Sequence, residues 1–182
     1  ITGFEAVQNL AALALILKGS LNLNYRASGV FCAAAGAACY ATSMARLKDR
    51  CSRRNFHVYL SFGLLLLMAG AVMLLSGFGL VAVFGALGIG ATILGRQTRC
   101  LSLQMHSGVY LAAGAGFAGL LGFGYREMLE SSPPFAGTAP LLIVTATLAA
   151  AVCYAMSIER QTAEARLPAL VVAAVLSWSL LG

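Results

Sequence analysis

A chain of 182 residues that is 60% hydrophobic and only 10% charged cannot cover its own surface in water, since soluble domains carry about a quarter charged residues. Its net charge of +6 is no nucleic-acid footprint, because the basic residues gather in short links between apolar stretches and form no basic stripe with interleaved aromatics. Apolar runs of about 20 residues without alternating polarity exclude a membrane β-barrel. The expected fold class is therefore all-α: a polytopic integral membrane protein whose spans cover residues 4–18, 26–45, 56–76, 79–95, 101–123, 138–158 and 167–182, seven transmembrane helices in all.

The first span carries Glu5, Gln8 and Asn9 on one helical face. Deep in a membrane, such a face would be a cation or proton site, or the lining of a transport path. Glu5 stands at the very start of the span, where it can reach the interface, which favours polar glue between helices or contact with a neighbour.

The second span steps through Gly29, Ala33, Ala37, Ala41 and Ala45, small residues at every fourth position. Such stripes let helix backbones approach closely. The span closes on CYATSMAR (residues 39–46) and enters a link holding Arg46, Lys48, Arg50, Arg53 and Arg54. Near an anionic membrane surface each basic residue contributes about 1 kcal/mol of attraction.

His57 lies just before VYLSFG (58–63), which opens the third span. The fourth is glycine-rich over 77–90, in a setting that suits helix packing and not a phosphate loop. A short link with Arg96 and Arg99 leads to the fifth span, which contains His106, then VYLAAG (109–114), and a second small-residue series, Gly108, Ala112 and Gly116. The long link over 124–140 holds Arg126, Glu127 and Glu130, with Pro133 and Pro134 to stop any short helix there. The sixth span closes on CYAMSIER (153–160), which shares five of eight residues with CYATSMAR.

Nine of the twelve Lys and Arg residues fall in alternate links: Arg46 to Arg54, then Arg96 and Arg99, then Arg160 and Arg166. Lys18, Arg26 and Arg126 occupy the others. The richer set should be cytoplasmic, so both Cys-Tyr echoes end inward-running helices and both Val-Tyr-Leu echoes open outward-running ones. The expected unit is an inward helix, a basic link and an outward helix. Residues 26–76, 79–123 and 138–182 are three such same-direction hairpins within one transmembrane domain. Inverted repeats would be a transporter signature; tandem copies point to an array in which each unit packs on the next. The chain begins at Ile1 and ends at Gly182 within an apolar run, and a slice of a longer protein is the expectation.

His57 and His106 are the candidate cofactor residues. A neutral imidazole could ligate haem iron or chlorophyll magnesium, and small-residue grooves could seat a carotenoid; the alternative is a histidine bonded to headgroups, water or a link carbonyl. Neither has the paired spacing of a metal site, and no metal or other cofactor is expected with any specificity. The five cysteines form no CxxC and are read as small or free thiols. Tyr40, Tyr59, Tyr110 and Tyr154 are expected near the interface, hydroxyl toward water. No serine has the histidine and acidic partner that hydrolysis needs.

Tandem Leu/Ala/Gly-rich spans joined by links such as ILGRQTR (93–99) resemble a broad group of bacterial multi-pass membrane proteins of unknown function. That resemblance implies a bacterial inner-membrane protein and brings no catalytic residues. The functional expectation is a non-enzymatic structural or accessory protein, with membrane lipids and other membrane subunits as partners and no nucleic acid. A pigment- or cofactor-associated subunit of a photosynthetic or electron-transfer complex is the first alternative, and a transporter or lipid-handling protein the second.

Overall fold

The structure is a computed structural model, and it describes residues 25–47, 54–120, 122, 139–158 and 166–181. All regular structure among the described residues is helical. Six α-helices follow one another: α1 (Tyr25–Thr42), α2 (Arg54–Leu74), α3 (Gly77–Thr98), α4 (Leu101–Phe117), α5 (Ala139–Ile158) and α6 (Arg166–Leu181). The expected first span, 4–18, lies outside the described residues. By length and composition, three helical segments can cross a membrane: Tyr25–Ala45, Phe56–Leu74 and Gly77–Thr98. The chain divides into two compact units, Ile1–Leu75 and Ser76–Gly182.

In the first unit α1 packs along α2 as an antiparallel pair. As α1 advances through Gly29, Ala33, Gly36 and Tyr40, the facing residues on α2 retreat through Leu74, Gly70, Leu67 and Gly63. Steps of four, three and four keep a seam on one side of a helix, because their mean of about 3.7 nearly matches the 3.6-residue turn. Four glycines bring the backbones into direct contact. A Cβ on Gly36 would lie 2.8 Å from the Leu67 amide nitrogen and 3.0 Å from the Gly63 carbonyl oxygen. One on Gly70 would lie 2.7 Å from the Ala33 nitrogen and 2.9 Å from the Gly29 oxygen.

The seam departs from the predicted four-residue stripe. Gly29 is buried and Ala33 half-buried, but Ala37, Ala41 and Ala45 are exposed. Each strict four-residue step overshoots a helical turn by about 40°, so the alanine series winds off the interface within two steps. Gly36 and Ser43 hold the seam instead, and both are buried. The end of α1 also changes pitch. Ser43 donates its hydroxyl to the Cys39 carbonyl at 2.8 Å, the acceptor an unbroken helix would offer to the Ser43 amide, and Ser43–Leu47 continues as a π-helix.

The second unit is a four-helix arrangement. α3 packs on α4 and α5, α6 packs on the same two helices, and α4 touches α5 across the middle. The α3–α4 pair is antiparallel, through Val81 with Ala118, Phe84 with Gly114, Gly88 with Leu111, Thr92 with Ser107 and Gly95 with Gln104. α5 lies parallel to α3, with Ala146 near Val81 and Ala149 near Gly85. α6 lies parallel to α4, with Val171 near Gly108 and Val172 near Leu111. Leu111, Ala149, Ala150, Cys153 and Val172 form a buried cluster where α4, α5 and α6 meet.

Two span limits differ from expectation. The fourth span, read as 79–95, is a 22-residue helix reaching Thr98. A terminal arginine such as Arg96 does not end a helix, since its stem can run along apolar surface to the interface. The fifth, read as 101–123, stops as an α-helix at Phe117 after 17 residues. Gly119 has φ of +76° and its amide bonds to the Gly116 carbonyl at 3.1 Å, a left-handed turn natural to glycine. Seventeen residues rise about 25 Å, less than a hydrocarbon core of about 30 Å.

Glycine substitutions separate seam from surface. Gly36→Ala and Gly70→Ala should destabilise the α1–α2 pair by about 1–3 kcal/mol, the usual overpacking cost, measured as thermal unfolding in mild detergent. Gly90 and Gly116 face open space, with no atom within 4 Å of an added Cβ, so alanine there should be neutral or slightly stabilising.

Candidate functional site

The residues that sequence patterns single out fall partly outside the described residues and partly in each of the two units. Glu5, Gln8 and Asn9 lie outside the described residues, as do Lys48, Arg50 and Arg53. Arg46 belongs to the π-helix and Arg54 opens α2. His57 sits in the first turn of α2, half-buried, with its ring edge-to-face against Phe56 at 5.6 Å. His106 belongs to the other unit, on α4, and is 6% exposed. A histidine at that burial is enclosed by protein, unlike the interfacial residue that its place near the end of a span implied. Among the described residues no group of three His, Cys, Asp or Glu side chains could hold a metal. Cys32, Cys39, Cys100 and Cys153 are free thiols.

The small residues of the fifth span divide as those of the second do. Gly108 is buried, with Val171 of α6 at 3.5 Å from where a Cβ would stand, whereas Ala112 and Gly116 are exposed. The two Val-Tyr-Leu echoes share one contact and differ in another. Each ends in a glycine that faces an aromatic residue of the preceding helix: an added Cβ would lie 2.7 Å from the Tyr40 ring at Gly63 and 3.4 Å from the Phe84 Cβ at Gly114. The tyrosines themselves have opposite fates. Tyr59 is exposed, in keeping with an amphipathic ring at an interface. Tyr110 is 1% exposed, stacked on Phe84 with centroids 6.3 Å apart. Phe84 also meets Phe117 at 5.8 Å, so aromatic packing outweighs any pull of the Tyr110 hydroxyl toward water.

Three features were not anticipated. Thr92 and Ser107 share a buried hydrogen bond of 2.7 Å between α3 and α4, and Thr92 also donates to the Gly88 carbonyl at 3.0 Å. A donor and acceptor that satisfy each other across a seam fix helix register where the surroundings offer no water. The signal was a lone threonine in the fourth span and one of two serines in the fifth, but only the pairing of Gly88 with Leu111 and Gly95 with Gln104 brings them together. Second, the indole nitrogen of Trp178 is buried with no hydrogen-bond partner among the described residues, its ring packed on Ala115, Leu120 and Ile143.

The third is the α3–α4 link. Arg99 has φ of +51° and ψ of +36°, the sole non-glycine among the described residues with positive φ. Its amide and that of Cys100 both donate to the Gly95 carbonyl, the latter at 3.1 Å. The Cys100 bond is the 6→1 bond of a Schellman helix end and the Arg99 bond the 5→1 bond of the αL motif, with arginine where glycine is usual. Thr98 adds a side-chain bond to the Leu94 carbonyl at 2.7 Å.

The fold and these contacts define an all-helical protein with apolar helices of membrane-crossing length and seams of small and hydroxyl-bearing residues. No protein-family model, curated protein or solved structure matches the chain.

A double-mutant cycle on Thr92→Val and Ser107→Ala should give a coupling energy of about 0.6 kcal/mol, the average for buried polar pairs between membrane helices. Additive effects in detergent unfolding would show that the pair does not act across the seam.

Proposed function

We propose that this chain is a non-enzymatic integral-membrane packing or accessory protein, in which tandem same-direction hairpins offer lateral surface to lipid and to other membrane subunits. The observation that carries this reading is the distribution of side-chain size. Gly36, Gly63, Gly70, Gly88 and Gly95 line the seams, buried, while Phe31, Leu141, Leu148 and Leu170 are 56–65% exposed. Water would drive large apolar side chains inward. In lipid that drive is absent between helices, so small residues can take the closest backbone contacts and large side chains such as these can face the acyl chains, while others, Phe56, Leu60, Phe84 and Leu103 among them, fill the space between helices.

The parallel course of α3 with α5, and of α4 with α6, supports an array in which one hairpin stacks on the next in the same sense. The aromatic-on-glycine contacts at Gly63 and Gly114 support descent of the hairpins from one duplicated unit. In this reading the link holding Arg96 and Arg99 is cytoplasmic in a bacterial inner membrane, by the excess of basic residues in such links, and Ser76 at the start of α3 lies on the opposite side.

Two measurements test the proposal. Gln97→Cys and Ser76→Cys, each in a background with native cysteines replaced by alanine, should label with a membrane-impermeant maleimide from opposite faces of sealed inverted and right-side-out vesicles. Labelling of both from one face would show that α3 does not cross. Mild-detergent purification from the native membrane should retain partner subunits identifiable by mass spectrometry. A monodisperse, partnerless protein would sink the accessory role.

A further inference from the structure

We infer that the indole nitrogen of Trp178 donates to the acyl ester carbonyl of a glycerolipid, held where α4, α5 and α6 meet beside the end of α4. The inference rests on the membrane reading above and names the chemical group that one part of the lipid-facing surface takes.

Trp178 is the one tryptophan of the chain, and its Nε1 is buried without a hydrogen-bond partner among the described residues. A buried indole N–H ordinarily has an acceptor. In a soluble protein water can supply one, but a hydrocarbon core holds no water to do so. Trp178 and Val175 of α6 both pack on Ala115 of α4, on Leu120 and on Ile143 of α5, so the donor stands in an aliphatic wall. An anionic group would want a cationic partner, and none belongs to this wall. The matching ligand carries an uncharged oxygen acceptor on an apolar body.

Depth narrows the choice. Ala115 lies two residues before the end of α4 at Phe117, and Ile143 four residues after the start of α5 at Ala139. Along the helix axes those distances are about 3 and 6 Å. Near helix ends of this kind a membrane changes from chains to headgroups, and tryptophan is enriched there. Glycerol esters join chain to headgroup at that same level, which makes their carbonyls the acceptors at hand.

The cover over the nitrogen is weakest at the α4 break. Trp178 as a whole is only half-buried, so part of its ring already meets the surroundings. Leu120 comes directly after Gly119, whose φ of +76° interrupts the α4 ladder. Gly116, Gly119 and Gly122 border the same break, and an added Cβ on any of them would meet no atom within 4 Å. A shift of the Leu120 side chain into that open space would let a carbonyl oxygen reach Nε1.

The test reconstitutes the full chain into vesicles of dioleoyl phosphatidylcholine or of its dialkyl ether analogue, which keeps headgroup and chains but has no ester carbonyl. Ultraviolet resonance Raman spectra of the indole N–H vibration then report on a single residue. They should show a hydrogen-bonded indole in the ester vesicles and an unbonded one in the ether vesicles. Thermal midpoints are read in parallel for wild type and Trp178→Phe, which keeps an aromatic ring and removes the donor. The ester-minus-ether difference should be about 2–4 °C larger for wild type, the shift one net hydrogen bond gives a chain of this size. Leu120→Ala thins the cover, so it should keep or enlarge that difference even where overall stability falls.

An indole bonded equally in both vesicles has water or the protein itself as its acceptor, and that result would overturn the inference. An indole unbonded in both would overturn it as well. Either spectrum decides on wild type alone, whether or not Trp178→Phe folds. Insertion with no ester dependence would leave the membrane reading standing; failure to insert into either vesicle would remove both.

Discussion

Backbone contact at heptad-spaced glycines is the constraint on which the α1–α2 pair rests. Gly36 against Gly63, and Gly70 against Ala33, leave no volume for a methyl group, so the helices are held by dispersion over closely matched surfaces. Such contact is short-ranged and unforgiving: a gap of 1 Å or less already forfeits a quarter to a half of the attraction. It works only if the seam stays on one side of both helices. Alternating steps of three and four residues achieve this where strict four-residue steps do not.

The second unit solves the same problem less tightly. Its seams place Gly88 against the Leu111 side chain and Gly85 against the Ala149 methyl, and a peptide group comes as close as 3.2 Å to an added Cβ at Gly95 alone among these three, from the Gln104 nitrogen. Directionality comes instead from the Thr92–Ser107 hydrogen bond and the Phe84–Tyr110–Phe117 aromatic group. The first unit is defined by how close two backbones come, the second by which polar and aromatic groups find each other.

Helix content and the approximate spans from α1 to α6 were legible in the chain, because 20-residue apolar runs punctuated by arginine and proline have few other readings. Facing was not. Gly29 and Gly108 were singled out by spacing and are buried, but Ala37, Ala41, Ala112 and Gly116 were singled out by the same rule and are exposed. A chain rich in small residues contains four-residue series by chance, and only the partner helix selects the set that counts. Tyr110 shows the same limit, since its echo at Tyr59 shares the local sequence and differs only in neighbours. The Arg99 conformation had no sequence signal at all, as positive φ is usually announced by glycine or asparagine. His57 and His106 could be found by residue type, but their assignment to different units could not.

The α3–α4 link has a consequence for how the chain acquires its structure. A hairpin closed by two residues spends little loop-closure entropy, and every contact from Gly95–Gln104 to Val81–Ala118 then forms by zipping outward from the turn. Low sequence separation of this kind goes with fast formation. The α5–α6 pair, tied to α4 only through a longer connection, has a preformed surface to meet, with α3 to guide α5 and α4 to guide α6. The two-residue α3–α4 turn thus makes one hairpin the template on which the next is laid down.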